Sequence, residues 1–172
     1  MKTFFSLFLC LLFTISTSQA QDIDDLKPSQ YFDFWVSEWS LTFKEKNGTF
    51  ARAKNSITKI MSGKVIEENF EVLSGQIKGY TGKSWTVYNP ETQKWKQTWV
   101  DNQGAYLTFD GKIEGDKRIF FRETTDSDNK NIIQRMVFYD ITDSSFIWDW
   151  QQSSDDGNNW QLLWRINYER RL

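Results

Sequence analysis

From Tyr31 onward the chain repeats one pattern: a short run rich in β-branched and aromatic residues, then a turn, at intervals of about a dozen residues. The runs predict strands over 33–43, 49–61, 65–73, 81–88, 94–100, 106–113, 117–124, 132–142, 145–152 and 160–170. Asn47-Gly48, Ser62-Gly63, Asn89-Pro90, Asn102-Gln103-Gly104, Glu114-Gly115-Asp116 and Asp143-Ser144, with 126–131 and 155–158, supply the Gly, Pro, Asn or Asp that tight turns require. Pro28 and Pro90 both fall outside these strands, and no stretch from residue 21 onward carries an apolar stripe of helical period. About ten strands joined by short hairpins predict an all-β fold, a single antiparallel up-and-down β-barrel whose closure removes exposed edges. A two-sheet sandwich is the alternative.

The opening twenty residues read differently. Lys2 precedes an apolar run over 4–15, and Ser18-Gln19-Ala20 places small residues where a signal peptidase reads. The expectation is a cleaved signal peptide over 1–20, an N-terminal tail or barrel-end turn over 21–30, and one barrel domain over 31–172, exported to a periplasm or secreted. The apolar run is shorter than the roughly 20 residues a bilayer-spanning helix needs, and no later run is long enough, so no transmembrane segment is expected after signal removal.

Composition narrows the chemistry. The only cysteine, Cys10, lies in the leader, and the chain has no histidine. Disulfides, catalytic thiols, histidine triads and histidine-ligated haem or zinc are thereby excluded, and neither cofactor nor metal is expected. The net charge is −2, or −3 once Lys2 is removed, which argues against nucleic acid as a partner.

Alternation gives each strand two unlike faces. Phe146, Trp148 and Trp150 oppose Asp149 and Gln151; Trp95, Gln97 and Trp99 oppose Lys94, Lys96 and Thr98; Trp160, Leu162, Trp164, Ile166 and Tyr168 oppose Gln161, Arg165, Asn167 and Glu169. Periodicity alone leaves open which face is the lumen, because a ligand cavity tolerates polar groups.

Several motifs invite chemical readings. Asn47-Gly48-Thr49 fits a glycosylation acceptor and, equally, a hairpin turn. Ser153-Ser154-Asp155-Asp156-Gly157-Asn158-Asn159-Trp160 resembles the Asp-box turn of sialidases, but occurs once, so it implies a structural turn rather than a propeller. Asp126-Ser127-Asp128-Asn129 starts like a calcium loop and lacks its later glycine and glutamate. Glu67, Asn69 and Glu71 share a strand face opposite Glu68; carboxylates about 7 Å apart suit acid–base chemistry, and a solvated face explains them as well.

The nine tryptophans, all in the mature chain, are the main excess. Trp35 and Trp39 bracket the first strand and suit core packing at a barrel end. Trp85, Trp99, Trp148 and Trp150 are candidate walls for an apolar ligand, with Arg122, Arg135 or Arg165 to receive an acidic head group. A cofactor-independent enzyme would instead use Glu68 or Asp149 as base and Tyr106 or Tyr139 as acid. A ligand-free structural or interaction module, its lumen filled by aromatics, is the third reading.

Phe34-Trp35-Val36-Ser37-Glu38-Trp39, the stretch from Trp95 to Gly104 with Trp99-Val100-Asp101, Trp148-Asp149-Trp150, the Ser-Asp-Gly-Trp turn and Trp164-Arg165-Ile166-Asn167-Tyr168 carry a resemblance. Over most of the mature chain the sequence resembles a mostly bacterial, lipocalin-like (calycin) family of domains of unknown function. The opening element looks like the lipocalin G-x-W signature, with Ser37 where that family usually has glycine. The resemblance implies a calycin barrel and, by analogy, binding of a small, largely hydrophobic molecule. Barrels of similar shape include haem-binding nitrobindins, whose iron ligand is a histidine that this chain lacks.

Overall fold

The computed structural model of the protein describes residues 23–171. The leader expected over 1–20 lies outside the described residues. Ten strands form the wall: β1 Ser37–Lys44, β2 Phe50–Ile60, β3 Val65–Val72, β4 Thr81–Asn89, β5 Lys94–Asp101, β6 Tyr106–Glu114, β7 Lys117–Thr125, β8 Asn131–Tyr139, β9 Ser145–Ser153 and β10 Gln161–Arg170. Each pairs antiparallel with its sequence neighbours, and β1 pairs with β10 from Trp39↔Arg170 to Phe43↔Ile166, so the sheet closes. The fold is the expected up-and-down barrel, not a sandwich.

Two predicted strands are too long. The run at 31–35 carries Phe32, Phe34 and Trp35, apolar on both faces, and a half-buried strand would leave one of those faces wet. It folds instead as a 3-10 turn, Asp33–Trp35, laid across one end of the barrel. Phe32 stacks on Phe120 at 4.3 Å and meets Trp95 edge-on at 5.0 Å, and Trp39 Nε1 donates to the Trp35 carbonyl at 2.8 Å. A second 3-10 turn, Pro28–Gln30, caps the same end, its Pro28 carbonyl accepting from Trp95 Nε1. At the other misjudged boundary, Asp140 takes φ +51°, which ends β8 at Tyr139 before 140–142.

The apolar faces of β5, β9 and most of β10 turn inward. In β10 the alternation is interrupted by a bulge between Leu162 and Trp164, so Leu162 pairs with outward-facing Gln151 while Trp164 pairs with inward-facing Trp150. Leu162 is therefore exposed, and Trp160 lies on the outer wall with the Arg135 guanidinium 3.5 Å over its ring. The expected single face over Trp160, Leu162, Trp164, Ile166 and Tyr168 holds only from Trp164 onward.

The outer wall bears ion pairs such as Lys54–Glu71 at 2.8 Å and Lys96–Asp110 at 2.5 Å. Membrane-spanning barrels show the reverse alternation, apolar outside. Among the described residues no helix is long and apolar enough to cross a membrane.

Candidate functional site

Inside the barrel, above the aromatic plug, lies a cavity of about 180 Å³. β3 and β5 explain its character. Ile66, Glu68, Phe70 and Val72 share the inward face of β3, so alternation forces one carboxyl into an otherwise apolar stripe. On β5 the same rule aims Trp95, Gln97, Trp99 and Asp101 inward. Trp148 and Trp150 of β9 and Trp164 of β10 complete the aromatic wall with Trp99, the Trp148 and Trp164 rings standing edge to face at 5.9 Å. Phe70 meets Trp99 and Trp164 at 6.2 and 6.1 Å, and Phe109 meets Trp150 at 6.0 Å.

Glu68 is the deep polar group. Asn55 Nδ2 donates to Oε1 at 2.7 Å and Ser84 Oγ to Oε2 at 2.6 Å; Gln97 Nε2 in turn donates to Ser84 Oγ at 3.3 Å. Burial pushes the Glu68 carboxyl up to about 7, against the lowering effect of the Ser84 and Asn55 hydrogen bonds. Tyr168, which receives a 3.2 Å hydrogen bond from Asn55, is held well above the ordinary tyrosine value by burial and by the Glu68 charge. Among the described residues no donor reaches Asn55 Oδ1, and the buried Trp35 Nε1 has no acceptor.

Toward the open end, Asp101 forms a second acidic point. Tyr80 OH and Trp99 Nε1 donate to Oδ2 at 2.8 and 3.1 Å, and the backbone N–H groups of Gln103 and Ala105 donate to Oδ1. Burial raises its pKa, but those donors outweigh it and hold the carboxyl below its ordinary value, so it is ionised at neutral pH. Tyr80 arrives from the β3–β4 loop, which packs against β1–β2: the Gln76 N–H donates to Glu45, and Gly75, at φ +91°, leaves no room for a Cβ beside Glu45 and Ala51.

The residues singled out from sequence divide by strand parity. Trp99, Trp148, Trp150 and Glu68 line the cavity. Trp85 pairs with outward-facing Thr98 and points outward, its Nε1 donating to Glu67 at 3.1 Å. Asp149 sits between Trp148 and Trp150 and must therefore face out. There Arg165 holds it through two 2.7 Å hydrogen bonds, with Tyr139 OH at 3.3 Å. Arg135 is likewise outside, bonded to Gln151, and Tyr106 is on the exposed outer surface. Arg122 alone of the three arginines has inward parity, paired with Gln134 near the open end, where it donates to Thr124 Oγ1. It is not part of the cavity wall. An arginine-oriented acidic head group and an Asp149–Tyr139 or Tyr106 acid–base pair therefore have no place in the cavity.

The Ser-Asp-Gly-Trp motif is a hairpin turn between β9 and β10: Ser153 Oγ donates to Asp155 and accepts from the Gly157 N–H, and Asn159 donates twice to Asp155. Glu71 is spent on Lys54, and Asp126 Oδ1 accepts from the N–H groups of Asp128 and Lys130 in its own turn.

No protein-family model matches the chain, and no curated protein matches it. Among solved structures it is similar to a de novo designed fluorescence-activating β-barrel, at 12% identity over 85% of this chain and 99% of that one, with a TM-score of 0.44. A redesigned β-barrel is similar at 9% identity over 83% of this chain and 96% of that one, with a TM-score of 0.43.

Proposed function

We propose that this protein is an exported, lipocalin-like carrier or receptor that binds a small, largely hydrophobic molecule in the lumen of its barrel. The observation that carries the reading is the cavity of about 180 Å³, walled by five tryptophans and broken by one deep carboxyl. A filled-lumen module has no use for such a space: close packing is the rule in protein interiors, and a void forfeits dispersion contacts. The size suits a compact ligand, since an apolar cavity of about 150 Å³ already admits benzene. Export rests on the leader pattern over 1–20, and the family placement on the tryptophan motifs quoted above.

One observation favours a second reading. A buried carboxyl brought to about 7 inside a cavity is poised for general acid–base work, which makes Glu68 the one group an enzyme built on this barrel would use.

Native mass spectrometry of the mature protein from its own host, with organic extraction and tryptophan fluorescence, tests the binder. A stoichiometric small molecule whose removal changes the fluorescence is the expected result. A protein that arrives empty and whose fluorescence ignores added hydrophobic ligands would sink it in favour of the filled-lumen module, and turnover of the extracted compound would favour the enzyme.

A further inference from the structure

The chemistry of the cavity goes further than its size. Among the described residues its only charged side chains are Glu68 and Asp101, both acidic, and its walls are mainly aromatic rings. The arginines that face inward elsewhere are engaged outside it. At the plugged end Arg118 donates to the Tyr31 and Asp116 carbonyls and Arg170 to those of Phe34, Val36 and Asp143; Arg122 donates to Thr124. Among the described residues Glu68 thus has no cationic partner, and there its charged form is stabilised by the neutral donors Asn55 and Ser84. Each of its oxygens accepts one hydrogen bond from these partners and retains capacity for another.

We propose that the occupant of this cavity is a small organic cation: a compact, mainly apolar molecule carrying one ammonium group, which seats against Glu68 within the box formed by Trp99, Trp148, Trp150 and Trp164. The proposal rests on the binding reading above and narrows it to a ligand class. Three features converge. Ring faces attract a desolvated cation through their quadrupoles, and aromatic boxes are the recurring solution for ammonium recognition. A carboxylate in a dry site supplies the charge-assisted hydrogen bond that fixes where the ammonium sits. Asp101, ionised toward the open end, adds a second negative charge to the cavity wall that favours a cation over an anion there. A carboxylate-bearing ligand, such as a fatty acid, would bring a like charge into a space whose described charged groups are both acidic, which is strongly unfavourable.

The test uses three ligands of one shape, benzylammonium, benzyl alcohol and benzoate, titrated against the full mature protein by calorimetry and tryptophan fluorescence near pH 8. Benzylammonium is expected to bind about tenfold or more tightly than benzyl alcohol, with benzoate weakest. Glu68→Gln is expected to bring amine and alcohol within about threefold of each other, chiefly by weakening the amine. Should that variant fail to fold, the wild type offers a second readout. Near pH 7 amine binding must release a fraction of a proton, seen as a dependence of the heat on buffer, because the ammonium favours ionised Glu68. Of the groups around that carboxyl, Asn55, Ser84 and Gln97 do not titrate, Tyr80 and Tyr168 stay neutral, and Asp101 is already ionised. Alcohol or benzoate binding as tightly as the amine, or amine binding without proton release, would overturn the cation and leave a hydrophobic pocket standing. If none of the three binds, both readings fall.

Discussion

Gly82 on β4 and Trp99 on β5 are fitted to one another: the indole lies over Gly82 so closely that a Cβ there would overlap its six-membered ring. Gly82 is what allows Trp99 to lie along the wall with Nε1 on Asp101. Gly82→Ala is expected to swing Trp99 out of place and destabilise the barrel by about 1–3 kcal/mol, the usual cost of overpacking. Chemical denaturation measures the loss, and a changed near-ultraviolet circular dichroism of the tryptophans locates it. An unchanged spectrum with full stability would contradict the fit.

Glu68 makes stability depend on pH in an unusual direction for a carboxylate. Its pKa in the folded state is about 7 against an ordinary 4.5, so between those values the unfolded chain has released a proton that the folded chain still holds. The group costs nothing below about pH 4.5 and costs most above pH 7, where the deficit is on the order of 3 kcal/mol. Glu68→Gln removes this dependence. Relative to the variant, the wild type is expected to lose stability as pH rises from about 5 to 8, measured by urea unfolding at both values. A difference between the two proteins that is flat over this interval would count against a carboxyl held neutral by burial.

Phe32 closes the plugged end, fully buried between Phe120, Trp95 and Phe138. Phe32→Ala is expected to cost about 3–5 kcal/mol, the range for removing a buried aromatic. Guanidinium unfolding gives the number, and a cost below about 1 kcal/mol would mean the plug is loosely seated.

Asp149 and Arg165 separate structure from function. The pair lies on the outer wall, with Asp149 buried and Arg165 half exposed. Asp149→Asn is expected to cost about 1–2 kcal/mol, less than a fully buried pair because solvent screens the arginine. Binding in the lumen should be unaffected, as it should for Trp85→Ala, whose indole touches Glu67 on the outside. A lost affinity in either variant would place the ligand outside the barrel.

The strand count, the turns and most strand ends could be read from the sequence because alternation and turn residues are local. The failures were equally local in origin. Phe32, Phe34 and Trp35 extend the aromatic run of β1 in sequence but plug the barrel in space, and one extra residue before Trp164 sends Leu162 outward. The site was only partly legible, because a face becomes a lumen through pairing. Once Trp99 faces in, its neighbour rule places Trp85 out; once Trp148 and Trp150 face in, Asp149 cannot. Glu68 did carry a signal, a lone carboxyl in the stripe Ile66, Phe70 and Val72. Asp101 shares the inward face of Trp95, Gln97 and Trp99 and was missed, as were Asn55, Ser84 and Trp164. Tyr80, at the end of the β3–β4 loop, belongs to no alternating run and gave no warning.

The seam between β1 and β10 joins residues roughly 130 positions apart, from Trp39↔Arg170 to Phe43↔Ile166. Its consequence is kinetic. A ring whose first and last staves must meet carries a large loop-closure cost, and such topologies fold in about milliseconds to seconds rather than microseconds. During synthesis β1 waits with an open hydrogen-bonding edge, and Trp39, Leu41 and Phe43 wait uncovered, until β10 has emerged. Over that interval the nascent chain is a template for strand addition by its neighbours, and a truncation before β10 would leave it so.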